Sequence, residues 1–244
     1  MSNKLTVSHI PGNYQYVALH YGNSMQKQWH KNRHNLLKFL NFFNHKDVVL
    51  DLGCGSGNIV LEFTPRVKRF LGVDDNQDCL LFLEEKIRKR GIKNAHVLKM
   101  DITRLNLKGE KFSKVIMTEV LEHFDQNESK KILQSVRKML TARGKIFITT
   151  PNYRSPWPIM ELLIDKLDLA HKLWGEQHRT KFNIDKLRRL LKEAGFTVER
   201  TGTLNTISPF VAFFNPNFAD KLSFIEFKSL PLGNLLYCVA IKDK

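Results

Sequence analysis

The chain has 244 residues, 42% of them hydrophobic and 26% charged, which is ordinary for a globular protein and enough for one elaborated domain. It holds no run of about 18 apolar residues, and its start lacks the basic and apolar stretches of a secretory signal. Neither a transmembrane helix nor export is therefore expected. Cys54, Cys79 and Cys238 form no C-x-x-C pair and are odd in number, so a reducing cytoplasm is the expected setting.

The formal charge of +15 is the unusual bulk property. A field of that sign attracts RNA, anionic lipid headgroups or acidic metabolites, unless it is only a solvated basic surface. Residues 1–50 carry six Lys/Arg against one acid, Asp47, and five of the nine histidines.

Residues 23–43 read as a helix, with Trp29, Leu36, Leu37, Leu40 and Phe43 on one apolar stripe. The β-branched run 47–52 reads as a buried strand entering a glycine-rich turn. Residues 69–74 form a second strand. A helix over 77–90 follows, capped by Asn76, braced by Glu84 with Arg88 and Glu85 with Lys89, and stopped by Gly91. Strands are expected at 95–99 and 114–117. Asp125-Gln-Asn-Glu128 has capping-box spacing and opens a helix to Leu140. Residues 145–149 give a fifth strand, Asn183 caps a helix to Ala194, and 196–200 and 235–241 are the last strands. Strands alternating with helices from 47 to 200 predict an α/β fold, a doubly wound and mostly parallel sheet with helices on both faces.

A helical cap over 1–46 thus precedes a sheet domain over 47–244. Two stretches break the alternation. Residues 152–182 carry Pro156, Pro158 and an apolar segment at 159–174; residues 207–232 place six phenylalanines between Phe210 and Phe227. Each is either extra core or a lid or contact surface.

The sharpest motif is Val49-Leu-Asp-Leu-Gly-Cys-Gly-Ser-Gly57. Gly53, Gly55 and Gly57 allow a tight turn after the strand and close approach of a ligand. The spacing is G-x-G-x-G, not the G-x-G-x-x-G that seats a dinucleotide pyrophosphate. Asp74 ends the second strand, where a carboxylate can accept ribose hydroxyls. Asp101 follows the third, placed for an adenine amino group; read singly, either acid is a cap or turn residue.

With Gly72-Val-Asp74, Asp101, Glu119-Val-Leu-Glu-His-Phe124 and Gly144-Lys-Ile-Phe-Ile-Thr-Thr-Pro-Asn152, the motif resembles the class I S-adenosylmethionine-dependent methyltransferases. It is most like their ubiquinone-biosynthesis O-methyltransferase branch. The resemblance covers about residues 25–200 and implies a Rossmann-like seven-stranded sheet. It also implies S-adenosylmethionine as methyl donor, leaving as S-adenosylhomocysteine, with Asp51, Gly53 and Gly55 beside its methionine part. Asp74 would hold the ribose, Asp101 the adenine and Thr118 a further contact. Arg33 falls where that branch has an arginine near the methionine carboxylate; without the resemblance it reads as a solvated helix residue.

Glu119, Glu122 and His123 share one face if helical. Two carboxylates so close repel unless a cation or proton lies between them, and a divalent metal such as Mg2+ would also activate a substrate hydroxyl. Some quinone-pathway relatives and the RNA 3′-terminal 2′-O-methyltransferases carry this E-x-x-E-H pattern as a metal site, completed in the latter by a further histidine, for which His178 is the candidate. Magnesium prefers oxygen ligands, however. Without metal, His123 is the first candidate for a general base and His178 the second.

Three functions follow as expectations. The first is O-methylation of a small aromatic or lipid-linked acceptor, with peripheral contact to anionic membrane. The second is RNA methylation, disfavoured because the aromatics cluster in apolar company instead of interleaving with Arg and Lys. The third is a cofactor-binding partner subunit without catalysis.

Overall fold

The computed structural model describes residues 11–158, 178–229 and 232–243. The expected helix-like segment at 159–174 lies outside them. Among the described residues no helix is long and apolar enough to cross a membrane.

The elements run α1 (Tyr14–His20), α2 (Ser24–Phe39), β1 (Val48–Leu52), α3 (Asn58–Phe63), β2 (Arg69–Asp74), α4 (Gln77–Lys89), β3 (Ala95–Lys99), β4 (Phe112–Thr118), α5 (Gln126–Met139) and β5 (Leu140–Pro151). They continue with α6 (Ile184–Glu193), β6 (Phe196–Leu204), α7 (Ser208–Val211), α8 (Pro216–Ser229) and β7 (Leu235–Lys242). The seven strands form one sheet in the order β3-β2-β1-β4-β5-β7-β6. Six run in the same direction, and β7 inserts antiparallel between β5 and β6. This is the doubly wound, mostly parallel sheet that the alternation predicted, with the seven strands and Rossmann-like order that the resemblance implied.

Each strand feeds two cores by its period of two. On β4, Val115 and Met117 face one side and Ile116 the other; on β5, Ile146 and Ile148 oppose Phe147. One core is closed by Ile132, Leu133 and Val136 of α5 with Leu187, Leu190 and Leu191 of α6. The other is closed by Leu36 and Leu37 of α2, Ile59, Val60 and Phe63 of α3, and Leu80 and Leu83 of α4. Buried on both faces, the central strands read as continuous apolar runs.

The helix starts follow local chemistry. Asn23 and Asp125 each close a capping box, with Gln26 and Glu128. Asn76 accepts from Asp78 and Cys79, and Asn183 from Lys186. Gly91 sits past α4 at φ 63. Glu85 and Lys89 pair as expected.

Three differences have a tertiary cause. α2 stops at Phe39, because Asn41 takes φ 45 and turns the chain toward β1. β5 and β6 outrun their expected spans because β7 pairs with both to Leu235. The stretch 207–232 holds α8, and its face packs on α2.

Gly57 has φ 75, and a Cβ there would lie 2.3 Å from Leu83 Cδ1. A Gly57→Ala variant combines left-handed backbone strain with overpacking, so it is expected to lose about 2–4 kcal/mol of stability. Urea unfolding measures this; an unchanged midpoint would contradict the turn geometry.

Candidate active site

The strand order reverses at β1, which lies between β2 and β4. Open α/β sheets bind ligands at such a switch point, outside the carboxyl ends of the strands. The glycine turn leaves β1 here with Gly53 at φ 72, Gly55 at φ 50 and Gly57 at φ 75. It is stapled to β2 twice over. Gly53 and Cys54 donate to the Val73 carbonyl at 2.8 and 3.1 Å, and Gly55 donates to Asp74 Oδ2 at 2.8 Å. Asn76 donates to the other Asp74 oxygen at 2.9 Å. A Cβ on Gly53 would strike Val120 at 2.5 Å.

A cleft opens beside this turn, lined by Gln15, His30, Arg33, His34, Asp51 and Asn58, with Gly53, Thr118 and Glu119 among its walls. It encloses about 410 Å3 when its mouth is counted, of which only about 30 Å3 admits the centre of a water molecule. Gln15 Oε1 accepts from the Ser56 N–H at 3.2 Å, so α1 rests on the glycine turn.

Asp51 is fully buried at the tip of β1, and its Oδ1 has no hydrogen-bond partner. Burial, with the nearby Asp74 charge second, pushes its carboxyl up to about 8. Burial also raises Asp74. Asn58 Oδ1 is likewise buried and partnerless. Such atoms are rare in native interiors, and here two line one cleft. A cationic group beside Asp51 and a donor beside Asn58 would satisfy both, which fits the ammonium end of an amino-acid ligand.

Arg33 is buried, not solvated. Its Nη1 lies 2.5 and 2.6 Å from the two Glu119 oxygens, and its Nη2 meets His30 Nδ1. Burial, then the Arg33 charge, lowers His30; His34 is lowered to about 3, chiefly by burial. Both imidazoles are thus neutral beside the guanidinium. Glu119 has φ 54, a left-handed backbone that costs an ordinary residue energy and concentrates at functional sites. That bend turns its side chain into the cleft, where Thr149 also donates to it at 3.2 Å.

This geometry changes the expected metal set. Glu119, Glu122 and His123 do not share a helical face, because Glu119 is left-handed and Leu121–His123 is a single 3-10 turn. Glu119 goes to Arg33. Glu122, His123 and His178 come together instead, with ligand atoms within 4.8 Å of one another. The two histidine rings lie 5.6 Å apart, although 55 positions separate them in the chain. The segment bearing His178 is docked by Arg179, which reaches both capping-box acids, Asp125 at 3.1 Å and Glu128 at 2.7 Å. Thr180 adds bonds to the Glu122 and Phe124 carbonyls.

Glu122 is buried, bonded to Thr150 at 3.0 Å through one oxygen and partnerless at the other. Burial, then Glu119, pushes it up to about 8. Tyr153 Oη meets His178 Nδ1 at 2.7 Å. Trp157 lies 6.5 Å from the His178 ring and 5.6 Å from Trp29, making an aromatic wall. Gln15, Tyr153 and Trp157 were not anticipated from sequence; Trp29 read only as part of an apolar stripe. Asp101 sits at the tip of β3 with its Oδ1 taken by Thr103, so it is engaged as a turn cap.

The buried Asp51 carboxyl sets a stability test. Its folded value lies above the unfolded one, so burial costs nothing below about pH 4 and progressively more up to about pH 8. An Asp51→Asn variant is expected to melt higher than the parent by roughly 3–6 °C at pH 8, the gap closing toward pH 4. Melting curves across that window check it; a gap independent of pH would contradict the burial argument.

Comparison with known proteins agrees with the geometry. A family model described as a methyltransferase domain matches residues 21–201. The chain is 30% identical over 102 residues to (S)-coclaurine N-methyltransferase of Thalictrum flavum subsp. glaucum, covering 41% of this chain and 27% of that protein. It is 29% identical over 118 residues to a ubiquinone/menaquinone biosynthesis C-methyltransferase of Wigglesworthia glossinidia brevipalpis, covering 47% and 46%. The matches thus span less than half the length of these relatives. Among solved structures, magnesium protoporphyrin IX methyltransferase of Synechocystis PCC 6803 with bound S-adenosylhomocysteine superposes with a TM-score of 0.61 at 16% identity, over 91% of this chain and 88% of that one. N-methyltransferase NodS of Bradyrhizobium japonicum WM9, also with S-adenosylhomocysteine, gives 0.59 at 14%, over 96% and 99%. By the matched model and by its strand order, the chain belongs to the methyltransferase domain family and has the fold of the class I S-adenosylmethionine-dependent methyltransferases.

Proposed function

We propose that the chain binds S-adenosylmethionine in the cleft at the tips of β1 and β4, beside the Asp74 tip of β2, and methylates a hydroxyl oxygen of a small aromatic or lipid-linked acceptor. The observation that supports this reading is where partnerless buried polar atoms gather. Asp51 Oδ1 and Asn58 Oδ1 mark the cleft; Glu122 Oε1 and Trp157 Nε1 mark the adjoining histidine cluster. Two ligands side by side would satisfy two such groups each.

Bound S-adenosylmethionine supplies a methyl group on a good leaving group, so the protein's main task is alignment. Asp51 receives the ammonium end and is held ionised by it. Arg33 receives the carboxylate in competition with Glu119, whose oxygens already occupy its donors. Asp74, fixed by two backbone N–H groups, keeps lone pairs for ribose hydroxyls, and Asp101 at the next strand tip faces the adenine end. On the acceptor side, Trp29 and Trp157 offer an aromatic wall. His123, with the Tyr153-held His178 beside it, takes the hydroxyl proton as the methyl transfers.

A second reading has an observation of its own. Glu122, His123 and His178 could together hold a divalent cation, which would lower the pKa of an acceptor hydroxyl. Two imidazoles and one carboxylate suit zinc, manganese or iron better than magnesium.

Asp74→Ala is expected to weaken S-adenosylmethionine binding by at least about tenfold, roughly 1.4 kcal/mol, in calorimetry; unchanged affinity would remove Asp74 from the site. Cell extract incubated with the enzyme and an isotopically labelled methyl donor should yield, by mass spectrometry, a labelled aromatic methyl ether. Label in RNA would transfer the assignment to the nucleic-acid reading, and tight donor binding without any product would leave a binding protein. His123→Ala should cut product formation by about 100-fold with little change in donor affinity. Glu122→Gln separates the two chemistries, since it should abolish any stimulation by added metal but spare metal-free turnover.

A further inference from the structure

Helix α8 mixes apolar and polar residues on both of its faces. Its inward face carries Ala219, Ser223, Glu226 and Phe227, all buried, at i, i+4, i+7 and i+8. Its outward face carries Phe218 and Ile225, 55% and 57% exposed, spaced with the exposed Lys221 and Lys228. The turn before it adds Phe213 and Phe214, 70% and 86% exposed, with their rings 5.3 Å apart. Phe210 joins them around an open groove of about 350 Å3 that Asn23 and Met25 of the α2 start complete. An exposed apolar patch of this kind marks a contact surface.

The charges are sorted in the same direction. The two acids of residues 207–229 both turn inward. Glu226 accepts from the Ile207 and Ser208 N–H groups at 2.6 Å each and from the Ser208 hydroxyl at 2.8 Å, which fixes α7. Asp220 is taken by Gln28, Lys31 and Asn35 of α2. The two lysines of the same segment stay outside. Arg200 and Lys228 further stack over the Phe39 ring at 5.3 and 5.6 Å, extending the basic border.

We propose that the outer face of α8 and the 210–214 turn form a docking surface for an anionic lipid membrane. Aromatic side chains protruding from a turn and flanked by lysines suit the headgroup boundary, where rings insert and lysines meet lipid phosphates. A second copy of the chain is disfavoured as the occupant, because each copy carries +15. The mount is rigid, since buried polar bonds tie α7 and α8 to α2. The groove also lies close to the chemistry: Met25 is one helical turn along α2 from Trp29 of the aromatic wall. A lipid-dissolved acceptor would thus meet the protein beside the histidine cluster.

The test uses the full chain and vesicles, with neither methyl donor nor acceptor, so its failure leaves the assigned chemistry standing. Co-sedimentation is run with phosphatidylcholine vesicles and with vesicles also containing phosphatidylglycerol. Binding is expected to the mixed vesicles alone and to weaken about tenfold or more in high salt. A Phe213→Ser/Phe214→Ser variant should bind at least about tenfold more weakly, with an unchanged melting temperature. Lys221→Glu/Lys228→Glu should lose binding to anionic vesicles through charge alone. No binding by the parent chain, full binding by the serine variant, or a dimer in solution that the serine variant dissolves would each overturn the proposal.

Discussion

The turn that leaves β1 is the constraint on which the rest depends. In a parallel sheet the chain must quit the central strand at its carboxyl end and start a helix at once. Here it does so in five residues with three left-handed glycines. The turn is held by Val73 and Asp74, the last two residues of β2. Moving this turn would unseat the cleft, since Gln15, Asp51, Asn58 and Val120 all take their places against it. The carboxylate that staples it is the one proposed for the ribose, so a single side chain would set turn geometry and ligand position together.

Around this turn the fold keeps energy in reserve. Asp51 and Glu122 are buried carboxyls, each with an oxygen that meets no partner, and each resists ionisation. Glu119 holds a backbone angle unfavourable for a side-chain-bearing residue and occupies the guanidinium that a ligand carboxylate would seek. Stability is given up at these points, the usual mark of a site preorganised for something the protein alone does not supply. The Arg33–Glu119 pair fills the donor side of the cleft with an internal carboxylate. In the proposed site, a ligand carboxylate would replace the internal one at Arg33, a smaller cost than stripping a buried guanidinium bare.

The cap helix α2 joins three functions along one rod. Its first turn borders the phenylalanine groove, its middle presents Trp29 to the aromatic wall and His30 and Arg33 to the cleft, and Leu36 and Leu37 enter the core. Its polar residues Gln28, Asn32 and Asn35 are buried against Asn205, Ser208 and Asp220. A buried polar network of this kind fixes one arrangement between elements more sharply than apolar packing does. The phenylalanine groove, the aromatic wall and the cleft are therefore registered to one another.

Most of the sheet was legible in the amino-acid order because central parallel strands are apolar on both faces and helix ends carry local caps. Val48–Leu52, Arg69–Asp74, Ala95–Lys99 and the Asp125–Glu128 box depend on neighbours within a few positions. The glycine turn and the acids after the strands were legible for the same reason. The rest is set by partners distant in the chain. His178 meets His123 because Arg179 docks on the α5 cap and Thr180 on the Glu122 and Phe124 carbonyls, and Glu119 stands apart from them because a left-handed backbone angle aims it at Arg33. Helix α8 escaped the periodicity because both of its faces mix apolar and polar residues, so no clean apolar stripe marked the side toward the core. Sequence determined the strands and the donor-binding turn through short-range sterics and burial. Tertiary structure alone decided which distant side chains share the histidine cluster and which apolar side chains meet the outside.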